Sequence, residues 1–205
     1  MKINRVIRTL VTSDFLLISG FAVFGPVFAV FITQEIQGGS LEIIGFTAAI
    51  FQIVKSSFQI PIANYLDKNH GEKDDFYSLI LGSFLIALVP FLYLFAQKPL
   101  HLYMINSIYG LGAAFAIPPW NAIFTRHIDK MHESTDWAVE SVSIGIGAAS
   151  AAALGGILAE KFGFQIVFLA AGVLAIAGAI TLIKIYSDLR EKVGRGQVLP
   201  KPPRH

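Results

Sequence analysis

A lysine in the middle of an oily segment is the residue with the most chemistry to account for. Lys55 lies inside an apolar stretch from about Leu41 to Leu66, where an ammonium costs at least about 2.5 kcal/mol on insertion scales. Something polar must compensate. At helical spacing it shares a face with Gln52 at i−3 and Gln59 at i+4, a polar stripe on an otherwise lipid-length helix. Such a stripe belongs against water, a partner helix or a ligand. It either lines a cavity and meets an anionic solute or a proton-coupled carboxylate, or it is satisfied by a structural pair inside a bundle.

Asp14 and Glu140 form the second candidate set, each near one end of an apolar stretch, where a carboxylate can still reach water. Each either pairs with a basic loop residue or takes part in proton movement, and Glu140 also falls where a helix N-terminus favours an anion. Asn106, Tyr109 and Asn121 add neutral polar groups to one later segment. A membrane-embedded Asn finds its partner across a helix interface or on cargo. Enzymatic groupings are absent: His101, His127 and His132 occur singly at helix ends or in loops, where a solvated ring is expected. No zinc-type His pair, Gly-rich phosphate cradle or nucleophile with its base is present, so no enzyme, cofactor or metal is expected.

The elements that position these residues follow from composition. Of the 205 residues 54% are apolar and 15% charged, with 17 Phe and no Cys, against roughly 25% charged in soluble domains. A chain of this size could not hide so much apolar surface from water. Crossing a bilayer takes about 20 apolar residues in a helix. Six stretches qualify: Leu10–Thr33, Leu41–Leu66, Phe76–Ala96, Leu100–Thr125, Trp137–Ala159 and Phe162–Ile183. The fold expected is an all-α bundle of six transmembrane helices over residues 1–187, with a disordered tail over 188–205. The N-terminal stretch lacks a small-residue cleavage site and reads as a retained first helix.

Lys and Arg alternate between connections so that Lys2, Arg5, Arg8, Lys68, Lys73, Arg126, Lys130 and the tail share one side, leaving Lys98 and Lys161 opposite. By the positive-inside rule both ends are expected in the cytoplasm, in a multi-pass protein of the plasma membrane, the inner membrane of a bacterial cell. The basic residues suit anionic lipid headgroups, and no stripe for nucleic acid is present. Gly25–Pro26 in the first helix and Pro118–Pro119 in the fourth fall at similar depth, which reads either as matching breaks in a repeat-built carrier or as tolerated prolines. On the fifth helix Gly147, Ala151 and Gly155 follow at four-residue steps with Gly156 beside them, a surface that admits a second backbone closely.

The connection after the second helix reads ANYLDKNHGEKDD. It resembles the signature loop of the major facilitator superfamily, in which Gly, Asp, Arg, Gly and a basic pair hold the cytoplasmic gate. Ala63 stands for the first Gly, Asp67 for the Asp, Lys68 for the Arg and Gly71 for the second Gly; one residue is inserted, Glu72 replaces the first basic residue, and Lys73 follows. The fourth helix is similar to the family's Arg, Gly, Gly pattern through Asn106, Gly110 and Gly112, with Asn106 at the Arg position. The fifth resembles the antiporter-type glycine motif through Gly147, Gly155 and Gly156, with Ala151 and Ala152 at its centre.

The resemblance implies one half of a twelve-helix fold, built as a 3+3 inverted repeat, in which solute binds between two halves. It also implies alternating-access transport of a small solute, with the proton as a candidate coupling ion. A single half needs a second wall: a homodimer, another six-helix half, or the remainder of a longer carrier. The competing reading is a non-transporting module that steadies a partner membrane protein.

Overall fold

Inside hydrocarbon every backbone N–H and C=O has to be bonded within the chain, and the apolar stretches answer as long helices. The computed structural model describes residues 4–68, 71–128, 131–189, 192–193 and 197–198. Among the described residues six helices are long and apolar enough to cross a membrane: α1 (Arg5–Glu35), α2 (Leu41–Lys68), α3 (Glu72–Tyr93), α4 (Pro99–His127), α5 (Glu133–Phe162) and α6 (Phe164–Leu182). A 3₁₀ segment, Ile183–Asp188, continues α6.

Several helices run past their apolar stretches because charged end turns suit the helix dipole. Glu72, Asp74 and Asp75 open α3, Glu133 and Asp136 open α5, and Arg126 and His127 close α4. α5 therefore starts at Glu133, ahead of the Trp137 at which its apolar stretch begins. Gly163, at φ 78°, separates α5 from α6 and moves the start of α6 to Phe164. Most of the tail lies outside the described residues; within it, Lys192–Val193 pairs antiparallel with Gln197–Val198.

α1 and α4 treat proline differently. Pro26 interrupts α1, which is helical over Arg5–Phe24 and Phe28–Glu35 with a 3₁₀ turn at Gly25–Val27 between them. α4 stays helical through Pro118 and Pro119, so of the two readings α4 follows that of tolerated prolines and only α1 breaks. Pro119 has no N–H for the carbonyl of Phe115, and Ser78 Oγ of α3 donates to that carbonyl at 2.8 Å. A hydroxyl from a neighbouring helix thus replaces the missing backbone donor.

Packing has the symmetry that the prolines lack. α4 lies between α2 and α3, α1 lies between α5 and α6, and α3 packs on α6. The neighbours therefore run α2, α4, α3, α6, α1, α5, and exchanging α1–α3 with α4–α6 returns the same row reversed. That is the contact pattern of an inverted 3+3 repeat. The outermost helices are the least covered: 6% of the most apolar stretch of α2 is buried and 17% of α5, against 44% for α3, α4 and α6.

Close approach is set by small residues. A Cβ on Gly110 of α4 would stand 2.6 Å from the Phe51 carbonyl of α2, and one on Gly155 of α5 would strike the backbone of Val23 in α1. Gly147 packs against Phe15 and Ser19, and Ala151 is buried, whereas a Cβ on Gly156 would meet open space. Gly147, Ala151 and Gly155 form the face that α5 lays on α1; Gly156 lies off it.

The candidate solute cavity and its charged rim

Between α1 and α4 the bundle leaves a cavity of about 430 Å³. It reaches from mid-bundle toward the side that holds the N-terminus, the α2–α3 connection and the end of α4, here termed the basic side. Asp14, Leu17, Ile18 and Phe21 come from α1; Leu79, Ser83 and Ile86 from α3; Trp137 and Glu140 from α5. α4 supplies Tyr109, Ala113, Ala116, Ile117, Trp120 and Asn121, and α2 only Phe51.

Asp14 and Glu140 lie far apart in sequence, and the fold brings both carboxyls to one space. Neither has a basic partner among the described residues, so the ion pairs with loop residues considered above do not form there. Rings flank the acids. Phe21 stacks on Tyr109 with centroids 4.7 Å apart, and Tyr109 meets Phe51 at 4.3 Å. Toward the basic side Trp120 and Trp137 are 6.3 Å apart, and Phe124 lies behind both.

Lys55, Gln52 and Gln59 do not line this cavity. Lys55 is half-buried, its Nζ lies 5.4 Å from the Phe51 ring centroid, and no carboxylate pairs with it among the described residues. Phe51 at i−4 was the signal available in sequence, since that spacing sets a ring beside the ammonium. Gln52 is exposed and Gln59 half-buried. Asn106 is buried on the α3–α4 contact, where its Nδ2 donates to Tyr93 Oη at 2.8 Å and to the Leu102 carbonyl at 3.0 Å.

At the basic side the signature-loop residues divide. Asp67 and Lys68 are exposed and Ala63 half-buried; Asn69 and His70 lie outside the described residues. Gly71 is buried at φ 95°, a backbone conformation that only glycine adopts without strain. Lys73, half-buried, follows in the first turn of α3.

Beneath this loop is a polar lock that spacing could not reveal. The carboxylate of Asp75 binds the Arg126 guanidinium, and Glu72 Oε1 lies 3.7 Å from His127 Nδ1, which contacts the Ile123 carbonyl at 2.9 Å. Asn4 Nδ2 donates to the His127 carbonyl at 3.0 Å, drawing α1 into the cluster. His127, expected to be a solvated loop residue, is 4% exposed. α4 runs helical to that position and carries the ring inside, against the first turn of α3. Acids opening one helix and bases closing its antiparallel neighbour were the only hint.

The family model of the Major Facilitator Superfamily matches residues 10–204. The chain belongs to the Major Facilitator Superfamily. An uncharacterised MFS-type transporter of Methanocaldococcus jannaschii is 23% identical over 179 residues, 87% of this chain and 45% of that protein. This superfamily member thus spans less than half the length of that relative. Its fold matches the in meso crystal structure of the POT family transporter PepTSo with a TM-score of 0.69, at 14% identity, over 100% of this chain and 40% of that one. As a superfamily member with six apolar helices it is a multi-pass integral membrane protein, and the family is one of transporters rather than enzymes.

Proposed function

We propose that this six-helix bundle forms one wall of a carrier that moves a small solute across the membrane by alternating access. The observation that carries the reading is a cavity holding two unpaired carboxyls, beside the two least covered helices, α2 and α5. The second wall is another six-helix bundle: a second copy, a different half, or a further part of a longer carrier. Charge placement supports a cytoplasmic basic side in the plasma membrane.

The solute path runs past Asp14 and Glu140. Lys55, Gln52 and Gln59 on α2 face toward the second wall, and the Gly71 turn with the Asp75–Arg126 pair closes the cytoplasmic side. The proton is the candidate coupling ion.

If two copies pair about an axis along the membrane normal, α2 of one opposes α5 of the other. Ile53 and Ile146 are exposed near the middle of these helices at 64% and 62%. Because the chain has no Cys, a mixture of Ile53→Cys and Ile146→Cys copies reports their contact cleanly. Oxidation in native membranes is expected to cross-link the two, and failure to do so assigns the second wall to another protein segment.

Transport is tested in vesicles loaded with the purified chain and offered radiolabelled amines, amino acids, sugars and organic anions. At least one is expected to accumulate above protein-free vesicles. A cross-linked dimer that moves none of them would overturn the carrier reading. A carried solute whose uptake is unchanged by Lys55→Ala removes that residue from the path.

A further inference from the structure

The sign of the cavity's charge and the shape of its walls carry a statement about its occupant. Asp14 and Glu140 line it, and no Lys, Arg or His does. Neither carboxyl is matched by a basic group among the described residues, which leaves a cation as the complement they favour. Water or a proton would satisfy charge alone, but rings stand among the aliphatic side chains of the remaining wall, with the Phe21–Tyr109–Phe51 stack at one end and Trp120 with Trp137 at the other.

An aromatic face attracts a cation brought within about 6 Å of its centre. The protein uses this attraction itself, with Lys55 Nζ 5.4 Å from the Phe51 centroid. The cavity of about 430 Å³ falls in the range of roughly 300–1,000 Å³ typical of sites that enclose a small organic molecule.

We propose that the cavity binds an organic cation with an apolar, aromatic body. The positive charge lies near Asp14 and Glu140, and the body lies against the Phe, Tyr and Trp rings. An organic anion would meet two carboxyls and no counter-charge. A sugar would bring no positive charge to the two carboxyls. This assignment rests on the carrier reading above and names its substrate class.

Two probes of the same shape and opposite charge decide it: tetraphenylphosphonium and tetraphenylborate, applied by equilibrium dialysis to the full chain in lipid nanodiscs, with empty nanodiscs as the background. Saturable binding of the phosphonium alone is expected, weakened at least about tenfold in Asp14→Asn/Glu140→Gln and retained in Glu35→Gln, an exposed acid outside the cavity. Equal saturable binding of both probes, no saturable binding of the phosphonium, or phosphonium binding unchanged in the double variant would overturn the proposal. If the double variant loses its helical circular dichroism, the preference of the unaltered chain between the probes still decides.

The two readings fail separately. A bound phosphonium in a chain that carries no solute sinks the carrier and leaves the cation site. A solute carried by a chain that ignores the phosphonium sinks the cation site alone.

Discussion

α1 and α4 open the two halves of an inverted repeat and occupy equivalent places in the packing, yet they are held by different means. α4 is continuous, its proline gap closed by Ser78 and its far end tied to α3 through Asp75 and Arg126, side chains that are 2% and 23% exposed. α1 is broken at Gly25–Val27, and its start is tied to the end of α6 through Arg5 and Asp188, 3.5 Å apart, side chains that are 56% and 12% exposed. Symmetry of fold therefore does not require symmetry of mechanics. One helix is a braced post and the other carries a joint, and the cavity lies between them.

The comparison breaks most severely at the buried lock. Arg126→Ala leaves the Asp75 carboxylate inside the bundle without its partner and is expected to cost about 3 kcal/mol, read from denaturant unfolding in mixed micelles. If unfolding is unchanged, α4 is not braced by charge.

Close approach comes next. Gly155→Ala drives a methyl into the Val23 backbone, where nothing flexible can yield, and Gly110→Ala meets the Phe51 carbonyl. Losses of about 1–3 kcal/mol are expected, larger at Gly155. Gly156→Ala, which enters open space, should be neutral or stabilising by up to about 1 kcal/mol through helix propensity. Thermal midpoints of the three variants test that order, and equal midpoints would show that α5 does not rest on α1 through Gly155.

The proline gap is a smaller effect with a sharper signature. Ser78→Ala strips the Phe115 carbonyl of its donor and is expected to cost about 1 kcal/mol. In a Pro119→Ala background residue 119 regains its N–H, so the same change should cost markedly less. A double-mutant cycle without coupling would mean that the hydroxyl does not compensate the proline.

The smallest effect belongs to α1. Arg5→Ala removes the more exposed member of a pair whose Asp188 keeps another contact and is expected to shift stability by less than about 1 kcal/mol, with a loss that shrinks further in high salt.

Much of the architecture was legible along the chain. Apolar length marked six spans, and the alternation of Lys and Arg placed the connections on two sides. The motif segments around Asp67–Gly71, Asn106–Gly112 and Gly147–Gly156 pointed to the superfamily that the family model matches. The candidate site was legible in part. Asp14 and Glu140 were visible as intramembrane acids, yet their shared cavity was not. Lys55 stood out because its cost can be read residue by residue, while its aromatic neighbour drew no notice, because a Phe in an oily helix is unremarkable until a cation lies over it.

Sequence by itself thus determined what each segment must be: a helix of bilayer length with charged ends, because the cost of an unbonded backbone in hydrocarbon is local and additive. Tertiary structure alone decided which way each helix turns about its own axis. That rotation is set by contacts such as Gly155 on Val23 and Gly110 on Phe51, between residues far apart in the chain. It put Asp14, Glu140 and the rings into one cavity, left Lys55 outside its lining, buried His127 against Glu72, and kept α4 whole where α1 breaks.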